Sequence, residues 1–451
     1  MKTRVVLLAA GKGTRMRSRL PKLLHPLGGR PLILHSLEAA ENVGNELPLI
    51  VIGHGARDIR EVIGDRAEFV EQAEQLGTGH ALQQTQSVLA KTADFVLVAN
   101  ADLPLLTNQT FKKLLETQKK NKGPFTMLTL KQKEARGFGH IKRGKKGEVL
   151  AIIEEAEATS AELAIDELNV GAYCFRADWL WTALAKLKPS AKKKEYYLTD
   201  LLEIAAKAGE RVEALLLEDK DEAIGVNTRE HLAEAEAALR RRINRHWMQE
   251  GVTILDPQST YIEAEVTIGQ DSFIWPNTML LGETKVGEDC VLGPNTMIRN
   301  TQIGNSCEIR AAVVEHAIIE DHVEIGPFAH LRKGAHLSEG VHMGNFGEVK
   351  NSRLGSGVKM GHFSYIGDAT IGPNVNIGAG TVTANFDGKN KNETIIEADV
   401  FIGSDTMLVA PLKIGKGSRT GAGSVVTKDV PPNTLVGGVP ARAIRKLEKP
   451  D

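Results

Sequence analysis

Residues 262–298 read IEAEVT IGQDSF IWPNTM LLGETK VGEDCV LGPNTM I, and each block of six begins with an aliphatic residue. An α-helix would spread such residues around its circumference, and a flat strand would bury every second residue. The same spacing returns within residues 319–337, 354–366 and 396–414. A repeated six-residue unit buries its apolar side chains only by stacking on its neighbours. The pattern predicts a parallel β-helix. The alternative, a β-sandwich with many short turns, would not keep this register over seven repeats.

Composition limits the broad class of the protein. The chain has 451 residues, 42% of them hydrophobic, and a formal net charge of −1. This length predicts two or three domains, and the balanced charge argues against general binding to nucleic acid or to a membrane surface. The only tight lysine run, 192–194, is interpreted as a solvated loop. No apolar run reaches the length of a membrane span, so membrane insertion is not expected.

Three cysteines, Cys174, Cys290 and Cys307, are too few and too widely spaced for a disulfide framework or a zinc site. Reduced thiols are expected, and with them a cytoplasmic location.

The N-terminal residues favour a phosphate site. A buried strand is predicted over residues 4–10, followed by the loop Gly11-Lys-Gly-Thr-Arg15 and then by Pro21-Lys22. Backbone N–H groups of a glycine loop can close on an anion. A Gly-x-Gly loop alone would also suit a dinucleotide, but the third glycine of that fingerprint is missing. Two cations and a glycine loop suit a triphosphate better.

Leu8-Ala-Ala-Gly-Lys-Gly-Thr-Arg-Met16, followed by Leu20-Pro-Lys22, resembles the signature of sugar-1-phosphate nucleotidyltransferases. The resemblance implies a Rossmann-like α/β domain, with Arg15 and Lys22 as catalytic cations. It extends to Gln72-Ala-Glu-Gln-Leu-Gly-Thr-Gly-His80, the loop that reads uracil. The residues that it places at UTP and at the sugar nucleotide are Leu8, Ala9, Ala10, Gly11, Lys22, Gln72, Gly77, Thr78, Asn100, Ala101, Asp102, Gly139, Glu154, Asn169 and Asn227.

The same resemblance makes Asp102 and Asn227 the ligands of Mg²⁺. Asp102 follows the apolar strand 95–98, and the carboxyl ends of strands are where open α/β sheets bind ligands. Carboxylate and amide oxygens suit this hard cation. Simpler roles stay open: Asp102 as a turn residue, Asn227 as a helix cap, Glu154 in an exposed acidic loop and Lys22 as a surface lysine.

Residues 228–250 are rich in helix formers and contain no Pro and no Gly. They are predicted to form a long linker helix. The expected domains are therefore 1–227, a uridyltransferase domain, and 251–451, the β-helix with its C-terminal tail.

Three denser segments interrupt the hexapeptide ladder: residues 344–350 (GNFGEVK), 361–368 (GHFSYIGD) and 376–385 (NIGAGTVTAN). They resemble the acetyltransferase half of the bifunctional N-acetylglucosamine-1-phosphate uridyltransferase/glucosamine-1-phosphate acetyltransferase family. Both halves are present in the family's order, and the β-helix of the family is left-handed.

A general base must remove a proton from the attacking amine, and imidazole changes its charge near neutral pH. His362 is the predicted base, and Glu348 the residue that orients it. The resemblance places glucosamine 1-phosphate at Arg332, Lys350, Tyr365 and Asn376. It places acetyl-CoA at Ala379, Asn385, Phe386, Ser404 and Ala422, with Arg442 or Arg445 as a later basic contact. It also implies a homotrimer with the acetyl site between subunits.

The activity implied is acetylation of glucosamine 1-phosphate, followed by uridylyl transfer from UTP, giving UDP-N-acetylglucosamine for cell-wall and surface polysaccharides. The chain departs from the family pattern at Asn100-Ala101, Ala156, Gly347 and Phe386. Alternatives are another nucleotide or hexosamine phosphate, a nucleotidyltransferase with a structural β-helix, and a non-catalytic scaffold. Loss of His362, Lys22 or Asp102 would favour the last two, but all three residues are present.

Overall fold

The structure, a computed structural model, describes residues 1–155, 158–190 and 194–447. Ala156 and the lysines at 192 and 193 lie outside the described residues. The chain divides into two compact units, Met1–Leu239 and Arg240–Asp451.

The first unit mixes helices and strands along the chain. The helices are α1 Leu32–Ala40, α2 Ala56–Ile63, α3 Thr78–Gln83, α4 Gln86–Leu89, α5 Asn108–Lys120, α6 Ser160–Leu163, α7 Ala177–Leu184, α8 Asp200–Lys207 and α9 Arg229–Gln249, which continues into the second unit. The strands are β1 Thr3–Ala9, β2 Pro26–Leu27, β3 Arg30–Pro31, β4 Leu49–Ile52, β5 Glu68–Glu71, β6 Phe95–Asn100, β7 Phe125–Lys131, β8 His140–Arg143, β9 Val149–Ile153, β10 Glu167–Arg176 and β11 Glu213–Leu216.

The central sheet of this unit has the strand order β11-β7-β10-β6-β1-β4-β5, with the β8–β9 hairpin joined to β10. Strand β1 is almost wholly buried and runs parallel to both β4 and β6. Strand β10 is antiparallel to β6 and β7. The parallel centre brings the carboxyl ends of β1 and β6 to one edge, where the Ala101 N–H donates to the Leu8 carbonyl (3.0 Å).

The second unit is a three-sided parallel β-helix, and its three sheets contain 12, 10 and 9 strands. We call them the first, second and third faces and number the strands in chain order. The first face contains β12 Thr253–Ile254, β15 Phe273–Ile274, β18 Val291–Leu292, β21 Glu308–Ile309, β24 Glu324–Ile325, β27 His342–Met343, β30 Lys359–Met360, β33 Asn376–Ile377, β36 Phe401–Ile402, β39 Arg419–Thr420, β41 Thr434–Gly438 and β42 Ala441–Lys446. The second contains β13 Tyr261–Ile262, β16 Thr278–Leu281, β19 Thr296–Arg299, β22 Val313–Glu315, β25 His330–Leu331, β28 Gly347–Lys350, β31 Ser364–Gly367, β34 Val382–Ala384, β37 Met407–Val409 and β40 Val425–Val426. The third contains β14 Thr267–Ile268, β17 Lys285–Val286, β20 Gln302–Ile303, β23 Ile318–Ile319, β26 His336–Leu337, β29 Arg353–Leu354, β32 Ala369–Ile371, β35 Thr394–Ile396 and β38 Leu412–Ile414.

The hexapeptide ladder predicted from the sequence is the core of this unit. All seven of its first rungs, from Ile262 to Ile298, are buried, as are the later ones. Each fully buried aliphatic side chain stabilises the fold by about 1.5–3 kcal/mol. The sequence register is lost after Ile298 because the next buried rung is Ile303, a step of five, and the coil absorbs the missing residue at a corner.

Gly347, one of the departures named above, lies in β28 and is buried. A Cβ atom there would lie 2.6 Å from Met360 Cε and 3.0 Å from Met343 Cε. The two flexible methionines therefore fill the space that a larger side chain at position 347 would occupy. This departure concerns core packing, not substrate chemistry.

Replacing Gly347 by Val is expected to overpack the coil and to destabilise the β-helix by about 1–3 kcal/mol. Combining it with Met360→Ala should destabilise less than the sum of the two single changes, because the shortened side chain frees the space that Val needs. Thermal unfolding of the two single variants and the double variant measures this coupling. Additive losses would show that the methionines do not fill the site.

Candidate active sites

The glycine loop after β1 brings Lys22 against the end of the central sheet. Gly13 has a positive φ of 60°, and a Cβ atom at this position would lie 2.6 Å from the Cβ of Lys22. Only glycine allows both the left-handed backbone and this close approach. Lys22 itself begins a short 3₁₀ turn, Lys22–Leu24, in which the Leu24 N–H donates to the Pro21 carbonyl at 2.9 Å.

Lys22, Asp102 and Asn227 form one cluster at this edge. The ammonium of Lys22 lies 2.5 Å from Asp102 Oδ2 and 3.2 Å from Asn227 Oδ1. The Val226 N–H donates to the Asp102 carbonyl (2.8 Å), which ties the segment before α9 to the end of β6. Two side-chain oxygens thus converge on a single cation. This donor set fits Mg²⁺, which binds proteins through one or two such oxygens and keeps water and phosphate oxygens for the rest.

A cavity of about 160 Å³ opens beside this cluster, and its lining includes Arg15, Asp102 and Asn227. A second cavity, of about 220 Å³, is lined by Gly139, Glu154 and Asn169, among others. Four residues line both cavities, which are therefore two ends of one cleft: Asn100, Gly137, Phe138 and Val170. The predicted metal and sugar residues thus lie along a common cleft.

Polar contacts fix the end of the cleft at which the sugar residues were predicted. Asn169 donates to the hydroxyl of Tyr173 (2.8 Å), and Glu154 accepts from Thr199 (3.2 Å). Burial raises the pKa of the Tyr173 hydroxyl, so this group stays neutral. Sequence reasoning missed the lining residues Tyr197 and Thr199 because no spacing pattern connects them to the strands around the cleft.

The predicted base-reading loop is held by the segment before α8. Gln72 is buried and donates to the Gly77 carbonyl (3.1 Å). Gly77 has φ 101°, and a Cβ atom there would lie 2.6 Å from the Tyr196 carbonyl oxygen. Thr78 accepts from the Leu198 N–H (3.1 Å). Glycine at this position is therefore required by the fold of the loop.

Of the Asn100-Ala101 pair, Asn100 lines the cleft and Ala101 lies in the core. Ala101 is fully buried within the hydrophobic core, so its methyl group does not face the cleft. Asn100 lines both cavities, and a Cβ atom at Gly171 would lie 2.8 Å from its Nδ2. Any effect of this departure on substrate fit therefore comes from Asn100. The remaining predicted N-terminal contacts lie at the end of β1, where Ala9 and Ala10 are buried and Gly11 is exposed.

On the β-helix, the predicted residues Glu348, Lys350 and Tyr365 lie in strands of the second face, and Arg332 directly follows β25 of the same face. Strand β28 pairs with β25 on one side and with β31 on the other, so that His330, Glu348 and Tyr365 are neighbours across the strands. Arg332 donates to Glu348 at 2.9 Å. Within the described chain no hydrogen bond joins Glu348 to His362, and the predicted orienting role of Glu348 stays a prediction.

Lys391 is a further cation that sequence reasoning missed. Contact with Lys350, through hydrogen bonding and then charge repulsion, lowers the pKa of Lys391. Beside them, burial of Asp368 is outweighed by hydrogen bonds from Asn351 and Asn385, which hold the pKa of the Asp368 carboxyl below its usual value. Two adjacent lysines form a site at which a phosphate would relieve their repulsion.

His362 begins a column of small residues along one corner. The pairing of β31 with β28 and β34, and of β37 with β34 and β40, aligns His362 with Ala379, Ser404 and Ala422 in successive coils. His362 is exposed, and the hydrogen bond from the Gly423 N–H to the Ser404 carbonyl (2.8 Å) joins two of these coils. The three positions matched to acetyl-CoA therefore lie in line on successive coils, and we call this line, which starts at the predicted base, the track.

The remaining predicted residues lie to either side of this corner. Asn376 belongs to β33 on the first face and not to the second face that carries Tyr365. Asn385 is buried against Asp368, whereas Phe386 is 61% exposed. Arg442 and Arg445 are exposed on β42. One chain therefore brings most of the predicted acetyl site to a convex corner and does not enclose it.

Gly367 leaves a notch for the Tyr365 ring. A Cβ atom at Gly367 would lie 2.6 Å from Tyr365 Cζ and 2.8 Å from Asn385 Nδ2. Gly367→Ala is expected to push the phenol out of place and to lower kcat/KM for acetyl transfer by about tenfold, the effect of one or two lost hydrogen bonds. Uridylyl transfer by the same preparation is the internal control. An unchanged acetyl-transfer rate would show that Tyr365 does not need this position.

Three family models match parts of this chain. A MobA-like NTP transferase domain matches residues 5–246, the bacterial transferase hexapeptide (six repeats) matches residues 265–300, and the hexapeptide repeat of succinyl-transferase matches residues 393–428. The chain is a nucleotidyltransferase joined to a hexapeptide-repeat acyltransferase, as the resemblance predicted. The predicted fold class, an α/β nucleotidyltransferase followed by a left-handed parallel β-helix, is confirmed.

Curated relatives give the particular family. The bifunctional protein GlmU of Exiguobacterium sibiricum is 45% identical over 446 residues, which cover 99% of this chain and 98% of the relative. That of Heliobacterium modesticaldum is 46% identical over 434 residues, covering 96% of this chain and 95% of the relative. The chain belongs to the GlmU family of bifunctional enzymes.

A more distant structural likeness is to UDP-glucose pyrophosphorylase complexed with UDP-glucose. It covers 54% of this chain and 100% of that chain, with 22% identity and a TM-score of 0.42. At this distance it carries no argument about function. None of the helices in the described ranges has both the length and the apolar character needed to cross a membrane.

Proposed function

We propose that the β-helix acetylates glucosamine 1-phosphate with acetyl-CoA, and that the N-terminal unit joins the product to UTP, releasing pyrophosphate and UDP-N-acetylglucosamine. The observation that carries this proposal is the track from His362 through Ala379 and Ser404 to Ala422, beside a face that carries Arg332 and Lys350. Glucosamine 1-phosphate requires a base for its amine and cations for its phosphate. Acetyl-CoA, a long thioester, requires an extended track. The cleft beside Asp102 supplies the second reaction.

In the acetyl transfer, the sugar reacts as its neutral amine, and His362 takes one proton from the amine nitrogen. The nitrogen attacks the thioester carbonyl carbon, the new C–N bond forms, and the C–S bond breaks. Coenzyme A leaves as the thiolate and takes up the proton. Lys350 and Lys391 hold the phosphate, and Glu348 fixes the guanidinium of Arg332 beside it.

In the uridylyl transfer, a phosphate oxygen of N-acetylglucosamine 1-phosphate attacks the α-phosphorus of UTP in line, and pyrophosphate leaves. Gln72, Gly77 and Thr78 hold the uracil, and Glu154 and Asn169 hold the sugar in the cleft. Arg15 and Lys22 neutralise charge on the triphosphate. Mg²⁺, held by Asp102 and Asn227, supplies further charge neutralisation on the phosphate oxygens when it is bound.

We also propose that the β-helices assemble as a trimer in which a second copy closes the acetyl site. A small-molecule site is normally concave, yet here the predicted residues flank a convex corner. Beside His362 the same corner carries Phe328, Phe346 and Phe363, which are 61%, 59% and 56% exposed. The rings of Phe328 and Phe346 stack with centroids 5.2 Å apart. Light scattering gives the mass, and Phe346→Glu should shift it toward the monomer.

A cytoplasmic location is part of the same proposal. Acetyl-CoA and UTP are supplied in that compartment, and the three cysteines are free and buried. Reduced thiols of this kind suit a reducing environment.

The test of the proposed function is a paired assay on the full-length protein. Coenzyme A release is measured with glucosamine 1-phosphate, and pyrophosphate release with N-acetylglucosamine 1-phosphate and UTP. Both activities are expected. Parallel reactions with galactosamine 1-phosphate, glucose 1-phosphate and dTTP test the strictness that Asn100 puts in question. Pyrophosphate release without coenzyme A release would make the β-helix structural, and preference for another nucleotide or sugar would replace the proposed substrates.

A further inference from the structure

The cluster of Lys22, Asp102 and Asn227 already holds a cation, and this cation belongs to the protein. The Lys22 side chain is only 11% exposed, and the Asp102 side chain 20%. Both oxygens proposed to bind Mg²⁺ face the same ammonium, at 2.5 Å and 3.2 Å. Asp102 is the single carboxylate of this cluster.

We propose that Lys22 is a resident cation that occupies the divalent-ion position when no nucleotide is bound, so that the metal binds there only after the ammonium has moved to the phosphates of the nucleotide. The inference rests on the proposed nucleotidyl transfer and adds to it. Under this proposal the ion and the nucleotide enter as a pair, and the free ion alone binds weakly.

Charge repulsion requires that a divalent ion replace the Lys22 ammonium at Asp102 and does not allow both to lie there. A divalent ion on Asp102 Oδ2 would lie within a few ångströms of the present ammonium position, and like charges at such a distance in a partly buried site repel strongly. One carboxylate cannot neutralise a monovalent and a divalent cation together. Ion binding and the present position of Lys22 therefore exclude each other.

The attachment of Lys22 suits a short movement. Its Cβ lies close to Gly13, and its backbone is fixed in the 3₁₀ turn, where the His25 N–H donates to the Lys22 carbonyl at 3.3 Å. The four-carbon stem beyond this anchor can turn about its own bonds. The glycine loop that carries Gly13 is the predicted triphosphate cradle, so the ammonium has an anionic partner close by once the nucleotide is bound.

Direct binding of Mn²⁺ without nucleotide tests the exchange, with water-proton relaxation as the readout. Lys22→Met removes the resident cation and leaves Asp102 and Asn227 in place. It is expected to tighten Mn²⁺ binding about tenfold, within the usual range of coupling between two ligands. Lys22→Arg keeps the positive charge and should bind Mn²⁺ no more tightly than the wild type. Lys12→Met removes an exposed lysine of the same loop and should change nothing.

Two outcomes overturn the inference: Mn²⁺ affinity that is equal in the wild type and in Lys22→Met, or no measurable binding in Lys22→Met. Asp102→Asn separates these failures from failure of the site itself. If Asp102→Asn abolishes Mn²⁺ binding in the presence of UTP while the Lys22 variants match the wild type, the metal site stands and only the exchange is wrong. If Asp102→Asn retains full binding, the proposed metal site is wrong as well.

Discussion

His362→Ala is expected to slow acetyl transfer by roughly 10²–10⁴-fold, the usual contribution of a general base. The amine would then have to lose its proton to water, because the described chain places no other histidine in the corner column. Pyrophosphate release should stay nearly unchanged, since the variant alters only the β-helix. The paired assay on one preparation measures both rates. The KM for acetyl-CoA should change little, because Ala379, Ser404 and Ala422 keep their positions.

A matched histidine makes this comparison specific. His342 is also exposed on the β-helix but lies on the first face, where it contacts Glu324 at 2.9 Å. His342→Ala should therefore leave both activities close to those of the wild type. Equal losses in the two variants would point to a general disturbance of the β-helix. An acetyl-transfer rate in His362→Ala within a few-fold of the wild type would remove His362 from the mechanism.

Asp102→Asn is expected to slow pyrophosphate release by about 10²–10³-fold, as happens when one preorganised charge-stabilising group is removed from an active site. The substitution keeps the shape of the side chain but removes the only carboxylate of the cluster, so both Lys22 and the divalent ion lose their anionic partner. Coenzyme A release should be unaffected. Rates measured over a range of Mg²⁺ concentrations should show that excess metal restores activity only in part.

Asp94 provides the control for this change. It lies just before the same strand, β6, at the opposite end from Asp102, and its carboxylate accepts from the Lys2 N–H at 2.7 Å. Asp94→Asn removes one negative charge from the same unit, far along the strand from the cleft. It should retain uridylyl transfer. Similar losses in both variants would mean that the effect of Asp102→Asn is one of stability and not of catalysis.

The parts of the fold that could be predicted from the sequence are periodic. A buried aliphatic residue at every sixth position is a local pattern, and it predicted both the β-helix and the buried rungs from Ile262 to Ile298. The five-residue step to Ile303 broke the sequence register without breaking the fold, because a corner can lose a residue while the faces stay paired. The central sheet was partly predictable for a similar reason, since the apolar strands β1 and β6 precede the glycine loop and Asp102.

Side-chain pairings between distant segments could not be predicted in this way. Lys22, Asp102 and Asn227 were each expected at the nucleotide, yet nothing in their spacing says that the lysine lies between the other two. The burial of Ala101 is a second case, because the sequence places it beside a ligand and the packing of the core turns its methyl group away. Such side-chain positions depend on how entire helices and strands pack against one another.

Lys391 shows the same limit on the β-helix. It lies in the loop between β34 and β35, where the ladder is interrupted and Phe386 forms an isolated antiparallel bridge with Lys391. A loop outside the repeat carries no register, so its proximity to Lys350 has no signature in the spacing. The motif residues His362 and Tyr365, in contrast, lie within a coil, and their places follow from the repeat.

The corner column that begins at His362 also fixes distances along the β-helix in units of one coil. Successive coils are separated by the strand spacing of about 4.8 Å, so the three steps from His362 to Ala422 measure about 14 Å. The reach between the base and the far end of the track is therefore counted in whole coils and cannot be adjusted continuously. A coil added on the N-terminal side of His362 would only lengthen the β-helix. A coil added between His362 and Ala422 would move the far end of the track by one coil spacing, about 4.8 Å. The thioester would then no longer lie at the base.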